Sequence, residues 1–104
     1  MLALYAYNAY KRAMEYEFDP AKAESNLSNH GVPMSEGDGV LRDPLCLSMP
    51  DEMTKAEQRF VAIGMNLFGQ LRVVVYTYRG ETAVRAISVR RPDPSEVRAY
   101  EKGV

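Results

Sequence analysis

Apolar and polar residues follow two different periods along this chain, and each period predicts a different kind of element. Short runs of alternating or continuous apolar residues, bounded by turn residues, predict strands at positions 15–18, 45–49, 59–65, 71–79 and 83–90. Apolar residues at helical spacing predict helices at positions 20–30, 35–41 and 94–101. The order β-α-α-β-β-β-β-α is an α+β pattern. We expect two N-terminal helices packed on an antiparallel sheet, with a C-terminal helix after it.

The first predicted helix carries signals at both of its ends. Asp19 suits the N-cap position, and Pro20 suits the first helical position, where the missing N–H would have no partner anyway. Gly31 follows the last turn, where glycine readily takes the left-handed conformation that ends many helices. The side of this helix that is expected to face the sheet carries Ala23, Leu27 and His30.

The other two helices are predicted from capping patterns. Ser35 and Asp38 resemble a capping box in which Asp replaces the usual Glu, and this pattern predicts a short second helix through Leu41. Asp93 and Glu96 show the same pattern at the start of the last helix, where a proline occupies the first helical position.

The last three predicted strands are joined by connections of only a few residues. Such connections favour antiparallel hairpins, because parallel strands need a crossover of a dozen or more residues. The three valines at positions 73–75 predict a central strand that is covered on both faces. The helices would cover one face of the sheet, and the other face would be partly open and would carry arginine side chains.

At 104 residues the chain is long enough for one domain with its own core. The first 13 residues are apolar and aromatic, but Asn8 interrupts them and the run is too short to span a bilayer. Charges precede the apolar run in a signal peptide, whereas Lys11 and Arg12 follow it here. We expect residues 1–13 to be an extension upstream of the true start, or weakly packed, and residues 14–104 to form a single domain.

The net charge of −1 conceals an uneven distribution. Residues 1–54 contain four basic and nine acidic side chains, whereas residues 55–104 contain nine basic and five acidic ones. Most bases of the second half are arginines, which bind phosphate with two parallel hydrogen bonds better than lysines do. A solvated sheet face with ordinary surface charge explains the asymmetry equally well. Charge alone therefore does not assign nucleic-acid binding.

The common constellations of enzyme active sites are absent from the sequence. Cys46 is the only cysteine, so an intramolecular disulfide and a zinc site built on thiolates are both excluded. Its neighbours Leu45 and Leu47 favour a small core residue over a nucleophile, and the low cysteine content fits a cytoplasmic setting. His30 is the only histidine, and a local role at the helix end is favoured over metal binding. Ser88 lies outside a G-x-S-x-G motif. No cofactor and no metal are expected.

A set of arginines and a tyrosine on the predicted hairpin strands remains for chemistry. Alternation places Val74, Tyr76 and Tyr78 on one side of their strand, and Ser88 with Arg90 on one side of the next. Guanidinium groups on adjacent strands could hold an RNA phosphate and stabilise the charge of a phosphorane while the neighbouring 2′-OH attacks. The residues alone leave open both a ribonuclease and a non-catalytic sheet that binds RNA or a partner. The set comprises Arg59, Tyr76, Arg79, Arg85, Arg90 and Arg91.

The sequence as a whole resembles the BrnT family, the toxins of type II toxin–antitoxin modules. The resemblance covers about residues 14–102 and rests on five stretches taken together: "FDPAKAESNLSNHGV", "DPLCL", "AEQRFVAIGM", "LRVVVYTYRGETAVRAISVRR" and "EVRAYE". It implies a RelE-like fold. It also implies a cytoplasmic endoribonuclease that needs no metal and that cleaves RNA to inhibit translation and growth.

The resemblance further implies functional residues. Arg59 and Arg79 would hold phosphate, Arg90 would stabilise the transition state, and Tyr76 would transfer a proton or stack on a base. Arg85 completes the expected catalytic set. The residues expected to bind RNA outside this set are Lys22, His30, Arg72 and Arg91.

The family also implies a partner, a BrnA-type antitoxin with a ribbon-helix-helix DNA-binding domain. The two would form a two-plus-two heterotetramer that contacts operator DNA only through the antitoxin. The alternative is a non-catalytic or degenerate module of the same fold that only binds the antitoxin and the operator complex. The RNA target, the need for a ribosome and the general base stay open; Glu57 is a candidate base, or an ion-pair partner of Arg59.

Overall fold

The computed structural model describes residues 14–51 and 57–103, so the expected extension at residues 1–13 lies outside the described residues. In chain order the elements are β1 (Glu15–Glu17), α1 (Pro20–His30), a 3₁₀ turn (Met34–Glu36), α2 (Gly37–Arg42), β2 (Leu47–Pro50), β3 (Phe60–Met65), β4 (Leu71–Arg79), β5 (Ala83–Arg90) and α3 (Pro94–Lys102). The α+β class, with five strands and three helices in the described ranges, is confirmed.

The five strands form one sheet in the order β1-β5-β4-β3-β2. Strands β2 to β5 pair with their neighbours in antiparallel fashion, and the short connections predicted this for β3, β4 and β5. Strand β1 instead runs parallel to β5 at the edge of the sheet. The prediction of an antiparallel sheet is therefore wrong at β1, because the long chain between β1 and β5 allows a parallel pairing that a hairpin forbids.

Of the helices described ahead of β2, only α1 exceeds two turns, so the prediction of two N-terminal helices holds in part. Helix α1 has 11 residues, an Asp19 side-chain cap and a left-handed Gly31 with φ of 68°. Helix α2 has six residues, and neither it nor the 3₁₀ turn has a side-chain cap. The predicted capping box of Ser35 and Asp38 is wrong, because Asp38 accepts a hydrogen bond from Arg42 Nε at 2.9 Å instead.

Two glycines that weaken the helical propensity of α2 allow it to pack closely against its neighbours. A Cβ at Gly37 would collide with the Tyr16 hydroxyl, and one at Gly39 would lie 3.0 Å from the backbone nitrogen of Leu67. The Tyr16 hydroxyl donates to the carbonyl of Met34 at 2.6 Å, which ties β1 to the 3₁₀ turn. Burial raises the pKa of Tyr16 above its ordinary value, because desolvation disfavours the phenolate.

The hydrophobic core lies between the N-terminal helices and one face of the sheet, which we call the core face. Cys46 is fully buried there, as predicted. On the opposite face of β4, Val73 is fully buried and Val75 is partly exposed. The central strand is therefore covered on both faces only in part. We call this second face, which carries Val73, Val75, Thr77 and Arg79 of β4, the open face.

Helix α1 presents a polar residue to the sheet where an apolar one was predicted. Leu27 is 53% exposed, and Asn26 is the buried residue of α1. The Asn26 amide donates to the carbonyls of Val32 (2.7 Å) and Val89 (2.8 Å) and accepts from the Val89 N–H (3.0 Å). Asn26 thereby pairs the backbone of Val89 at the part of β5 that lies beyond the end of β1, where no neighbouring strand is described. The prediction for Leu27 is wrong because the unpaired backbone of a strand edge needs a hydrogen-bonding partner.

Helix α3 begins with the predicted capping box of Asp93 and Glu96. Near its other end, the Tyr100 hydroxyl donates to Asp43 Oδ2 at 2.6 Å, and the same oxygen accepts from the Met65 N–H at 2.8 Å. Burial, and next the bond to Asp43, raise the pKa of Tyr100 above its ordinary value. Helix α3 is thereby attached to the end of β3, away from the end of the sheet where β1 pairs.

Candidate functional site

The structure divides the arginines predicted for the site between the two faces and the two ends of the sheet. On the open face, the ladder places Arg85 of β5 beside Thr77 of β4, with Arg79 two residues further along β4. Extending the β3–β4 register by one residue places Arg59 on the other side of Thr77, whose hydroxyl donates to the Gln58 carbonyl at 2.7 Å. Cross-strand neighbours on one face have Cβ atoms about 5 Å apart. Arg59 and Arg85 therefore flank Thr77 on this face, with Arg79 next along β4, and we call these three residues the open-face arginines.

Glu17 joins this group from the edge strand. The β1–β5 register pairs Glu17 with Arg85. Its Oε1 atom lies 3.3 Å from Nε of Arg85 and 3.7 Å from Nε of Arg79. The terminal nitrogens of both guanidinium groups have no partner among the residues that the structure describes. The Arg79 and Arg85 side chains are 54% and 38% exposed, so these free donors are accessible to a ligand.

Arg59 is held less completely than its neighbours. Its Nε atom is buried and has no hydrogen-bond partner within residues 14–51 and 57–103. Glu57 Oε1 lies 3.6 Å from that nitrogen, which is too far for a hydrogen bond. A buried charged donor without an acceptor is unfavourable.

Tyr76 lies on the core face, opposite to the open-face arginines. Its side chain is fully buried, its ring stacks on Phe60 with centroids 5.5 Å apart, and its hydroxyl lies 3.0 Å from Ser48 Oγ. Successive strand residues point to opposite faces, so the structure does not bring Tyr76 together with Arg79 or Arg85. The predicted side for Tyr76 is correct, but that side is the core.

Two further arginines of the predicted set, Arg72 and Arg90, are held by carboxylates, and we call them the locked arginines. Arg90 donates from both Nη atoms to both carboxylate oxygens of Glu96, at 2.8 and 2.9 Å. It lies at the other end of β5 from Arg85, about 16 Å away along the strand. Arg72 lies on the core face, where its Nε donates to Glu36 Oε1 at 2.9 Å. Arg72 was expected to bind RNA, but its side chain is only 11% exposed.

The pairing of Arg90 with Glu96 shifts the pKa of both groups. The hydrogen bond from Arg90 lowers the pKa of Glu96, and the same bond raises the pKa of Arg90. The neighbouring Asp93 also has a lowered pKa, chiefly because the Ser95 hydroxyl and then the Glu96 N–H donate to it. These charge-assisted bonds join the end of β5 to the start of α3.

The remaining residues expected to bind RNA lie along the edge of β5. Lys22 and His30 of α1 line a groove of about 200 Å³ together with Ile87 and Ser88 of β5. Arg91 follows β5 directly, and its Nη1 donates to the His30 carbonyl at 3.0 Å. Lys22, His30 and Arg91 are thus brought to one edge of the sheet.

Glu17 is the residue of this site that the sequence reasoning missed. The alternating stretch "EYE" indicates that Glu15 and Glu17 share a face, but only the parallel pairing with β5 shows that this is the face of Arg85. Among the described residues, no group of three or more His, Cys, Asp or Glu side chains is placed to hold a metal ion. None of the helices described is both long enough and apolar enough to cross a membrane.

Comparisons with known proteins point to one family. The family model described as "Ribonuclease toxin, BrnT, of type II toxin-antitoxin system" matches residues 18–96. Among solved structures, the chain is similar to the ribonuclease toxin BrnT of Brucella abortus, with 26% sequence identity and a TM-score of 0.61. That match covers 77% of this chain and 97% of the Brucella chain. No curated protein sequence matches the chain significantly.

Proposed function

Because the chain belongs to the BrnT family of ribonuclease toxins of type II toxin–antitoxin systems, we propose that it inhibits growth by cleaving RNA at the open-face arginines. The observation that carries this proposal is the convergence of Arg59, Arg79 and Arg85 around Thr77 on the accessible side of the sheet. Three cations at one position suit a phosphodiester better than any neutral ligand.

The free donors of these arginines support binding of a phosphate group. The terminal nitrogens of Arg79 and Arg85 have no partner among the described residues, and both side chains are partly exposed. Guanidinium groups match the geometry of phosphate oxygens with paired hydrogen bonds. The same donors stabilise the additional negative charge of the transition state, where a single donor contributes about 10²–10³-fold in rate.

The proposed reaction uses a nucleophile that belongs to the substrate. The ribose 2′-oxygen attacks the adjacent phosphorus, and the products are a 2′,3′-cyclic phosphate and a 5′-hydroxyl. The protein supplies positioning and charge stabilisation, so the reaction as proposed requires no metal ion. Lys22, His30 and Arg91 would hold the flanking RNA backbone along the edge of β5. Tyr76 and Arg90 lie outside this centre.

A type II toxin implies an antitoxin partner. We propose that this partner is a BrnA-type antitoxin with a ribbon-helix-helix domain, in a two-plus-two complex that contacts operator DNA through the antitoxin. Covering the basic open face would neutralise the toxin in the cytoplasm. We also propose, because the chain belongs to this family, that the fold has a RelE-like arrangement. The net charge of −1, with the bases concentrated in the second half of the chain, suits a protein whose basic face is covered by a partner.

The test is induced expression of the full chain, with growth followed by optical density and total RNA examined on a gel. We expect the unmodified chain to arrest growth and degrade RNA, and Arg79→Ala and Arg85→Ala to do neither. Arg98→Ala is the matched control, because Arg98 is exposed on α3 and has no partner among the described residues. A folded, abundant chain that neither arrests growth nor degrades RNA would favour the non-catalytic binding module.

A further inference from the structure

A carboxylate lies within reach of the position where the open-face arginines would hold a phosphate. Glu17 Oε1 contacts the Nε atoms of Arg79 and Arg85, whereas Oε2 has no partner among the described residues. The side chain is 39% exposed. One oxygen thus lies next to two cations, and the other is free to accept a proton.

The position of Glu17 is well defined because its strand is anchored on both sides. The Glu15 N–H donates to the Thr82 carbonyl at 2.8 Å, and the Tyr16 hydroxyl donates to the Met34 carbonyl at 2.6 Å. A reactive group on a strand is held more accurately than one on a loop. Glu57, the base considered from the sequence, lies outside any strand and contacts Arg59 at 3.6 Å.

The carboxylate and the substrate would use different nitrogens of each guanidinium group. Glu17 uses the inner Nε atoms, so the outer Nη atoms of Arg79 and Arg85 remain for the phosphate. Because these edges adjoin on one rigid plane, a phosphate bound there lies next to the carboxylate. The ribose attached to that phosphate would then carry its 2′-hydroxyl toward Oε2.

From this geometry we infer that Glu17 is the general base of RNA cleavage, an inference that rests on the ribonuclease function proposed above. Glu17 Oε2 takes the proton of the 2′-hydroxyl as the 2′-oxygen forms its bond to phosphorus. The bond between phosphorus and the 5′-oxygen breaks, its electron pair stays on the 5′-oxygen, and that oxygen takes a proton from water. Glu17 then releases its proton to the hydroxide left in solvent, which restores the carboxylate.

The test compares Glu17→Gln with Glu15→Gln in the full chain. Glu15 is the matched control, because it lies on the same strand, is exposed and makes no ion pair among the described residues. The readouts are the single-turnover cleavage rate of a fluorescent RNA oligonucleotide, with or without purified ribosomes, and the affinity for the same oligonucleotide with 2′-deoxy sugars, which cannot be cleaved. Loss of a general base lowers the rate and spares the affinity, whereas loss of a residue that positions the arginines lowers both.

We expect Glu17→Gln to be about 100-fold slower at neutral pH and to bind the 2′-deoxy oligonucleotide at least as tightly as the unmodified chain, as removal of a general base predicts. Glu15→Gln should match the unmodified chain. Glu17→Asp keeps a displaced carboxylate, so it should be slower by only about tenfold. If circular dichroism shows that Glu17→Gln is unfolded, Glu17→Asp decides, and an unchanged rate in that variant would overturn the inference.

The other possible results of this test separate the role of Glu17 from the ribonuclease function. A Glu17→Gln rate close to that of the unmodified chain would overturn the role of Glu17 and leave the ribonuclease function intact. A slow Glu17→Gln enzyme that also binds the 2′-deoxy oligonucleotide more weakly would overturn it as well, because Glu17 would then act only by positioning Arg79 and Arg85. No cleavage by the unmodified chain, with or without ribosomes, would overturn the ribonuclease function and this inference together.

Discussion

The two ends of strands β4 and β5 hold the same residue type in opposite ways. At one end, Arg72 and Arg90 donate to carboxylates of their own, Glu36 and Glu96, at 2.8–2.9 Å. At the other end, Arg79 and Arg85 share Glu17 at 3.3–3.7 Å and keep their terminal nitrogens without partners among the described residues.

This difference separates arginines that stabilise the fold from arginines that are available to a ligand. A largely buried pair depends strongly on both of its members, because the loss of one leaves the other charge uncompensated. An exposed and loosely held pair contributes little to stability, because solvent screens it. The locked arginines should therefore control the free energy of unfolding, and the open-face arginines should control activity.

The largest effect is expected for removal of an open-face arginine. Arg85→Ala should lower the single-turnover rate of RNA cleavage by about 10²–10³-fold, because it removes donors to the developing charge. Its free energy of unfolding should change by less than about 1 kcal/mol. Cleavage assays and urea denaturation measure the two quantities, with Arg98→Ala as the control. A large loss of stability with an unchanged rate would place Arg85 with the locked arginines.

The second effect concerns a locked arginine. Arg72→Ala should lower the free energy of unfolding by about 3 kcal/mol, because it leaves the mostly buried Glu36 carboxylate unpaired. The exposed pair of Arg42 and Asp38 provides the comparison, and Arg42→Ala should lose less than about 1 kcal/mol. Urea denaturation gives both values. If Arg72→Ala stays stable but binds RNA more weakly, Arg72 belongs to the RNA-binding surface instead.

The locked end of β5 also depends on an uncharged contact. Asn26→Ala should lower the free energy of unfolding by about 2 kcal/mol, because it leaves the buried N–H and carbonyl of Val89 without side-chain partners. Asn29→Ala is the control on the same helix, since Asn29 is exposed. Thermal or urea unfolding of the two variants measures the difference. Equal stability of the two variants would show that water replaces the amide of Asn26.

The smallest effect is the pH dependence contributed by Glu96. The pKa of Glu96 is lowered in the folded chain, so its stabilisation is present above the unfolded value of about 4 and is lost as pH falls through the lowered one. Glu96→Gln should cost about 1 kcal/mol at neutral pH and should reduce the loss on acidification. Gln keeps an acceptor for the capping box. Urea midpoints at neutral and acidic pH test this, and parallel curves for the two proteins would contradict it.

Much of the local structure could be predicted, because its causes lie within a few residues. The Asp19 cap, the left-handed Gly31 and the capping box of Asp93 and Glu96 were all predicted and confirmed. Each is a contact between near neighbours in the chain, so sequence spacing is sufficient to identify it. The hairpin order of the last three strands was confirmed for the same reason, since short connections leave few alternatives.

The predictions that were wrong depend on neighbours that are distant in sequence. Asn26 rather than Leu27 faces the sheet because Val89, 63 residues away, needs a partner at the strand edge. Ser35 does not cap α2 because it lies inside the 3₁₀ turn that leads directly into that helix, where Gly37 packs against the distant Tyr16. Propensity and spacing describe neither of these requirements, since both arise only after the sheet has formed.

Sequence patterns were sufficient to predict most of the helices and strands, the α+β class, the family and the arginine-rich strands. Which arginines are locked, which are open, and that Glu17 lies among the open ones became clear only from the packing of the strands. This is because the role of an arginine depends on the carboxylate that binds it. Arg72 binds Glu36, which is 36 residues away in the sequence, and Arg85 binds Glu17, which is 68 residues away. Strand order and register determine these pairs, because a shift of one residue would turn every side chain to the other face.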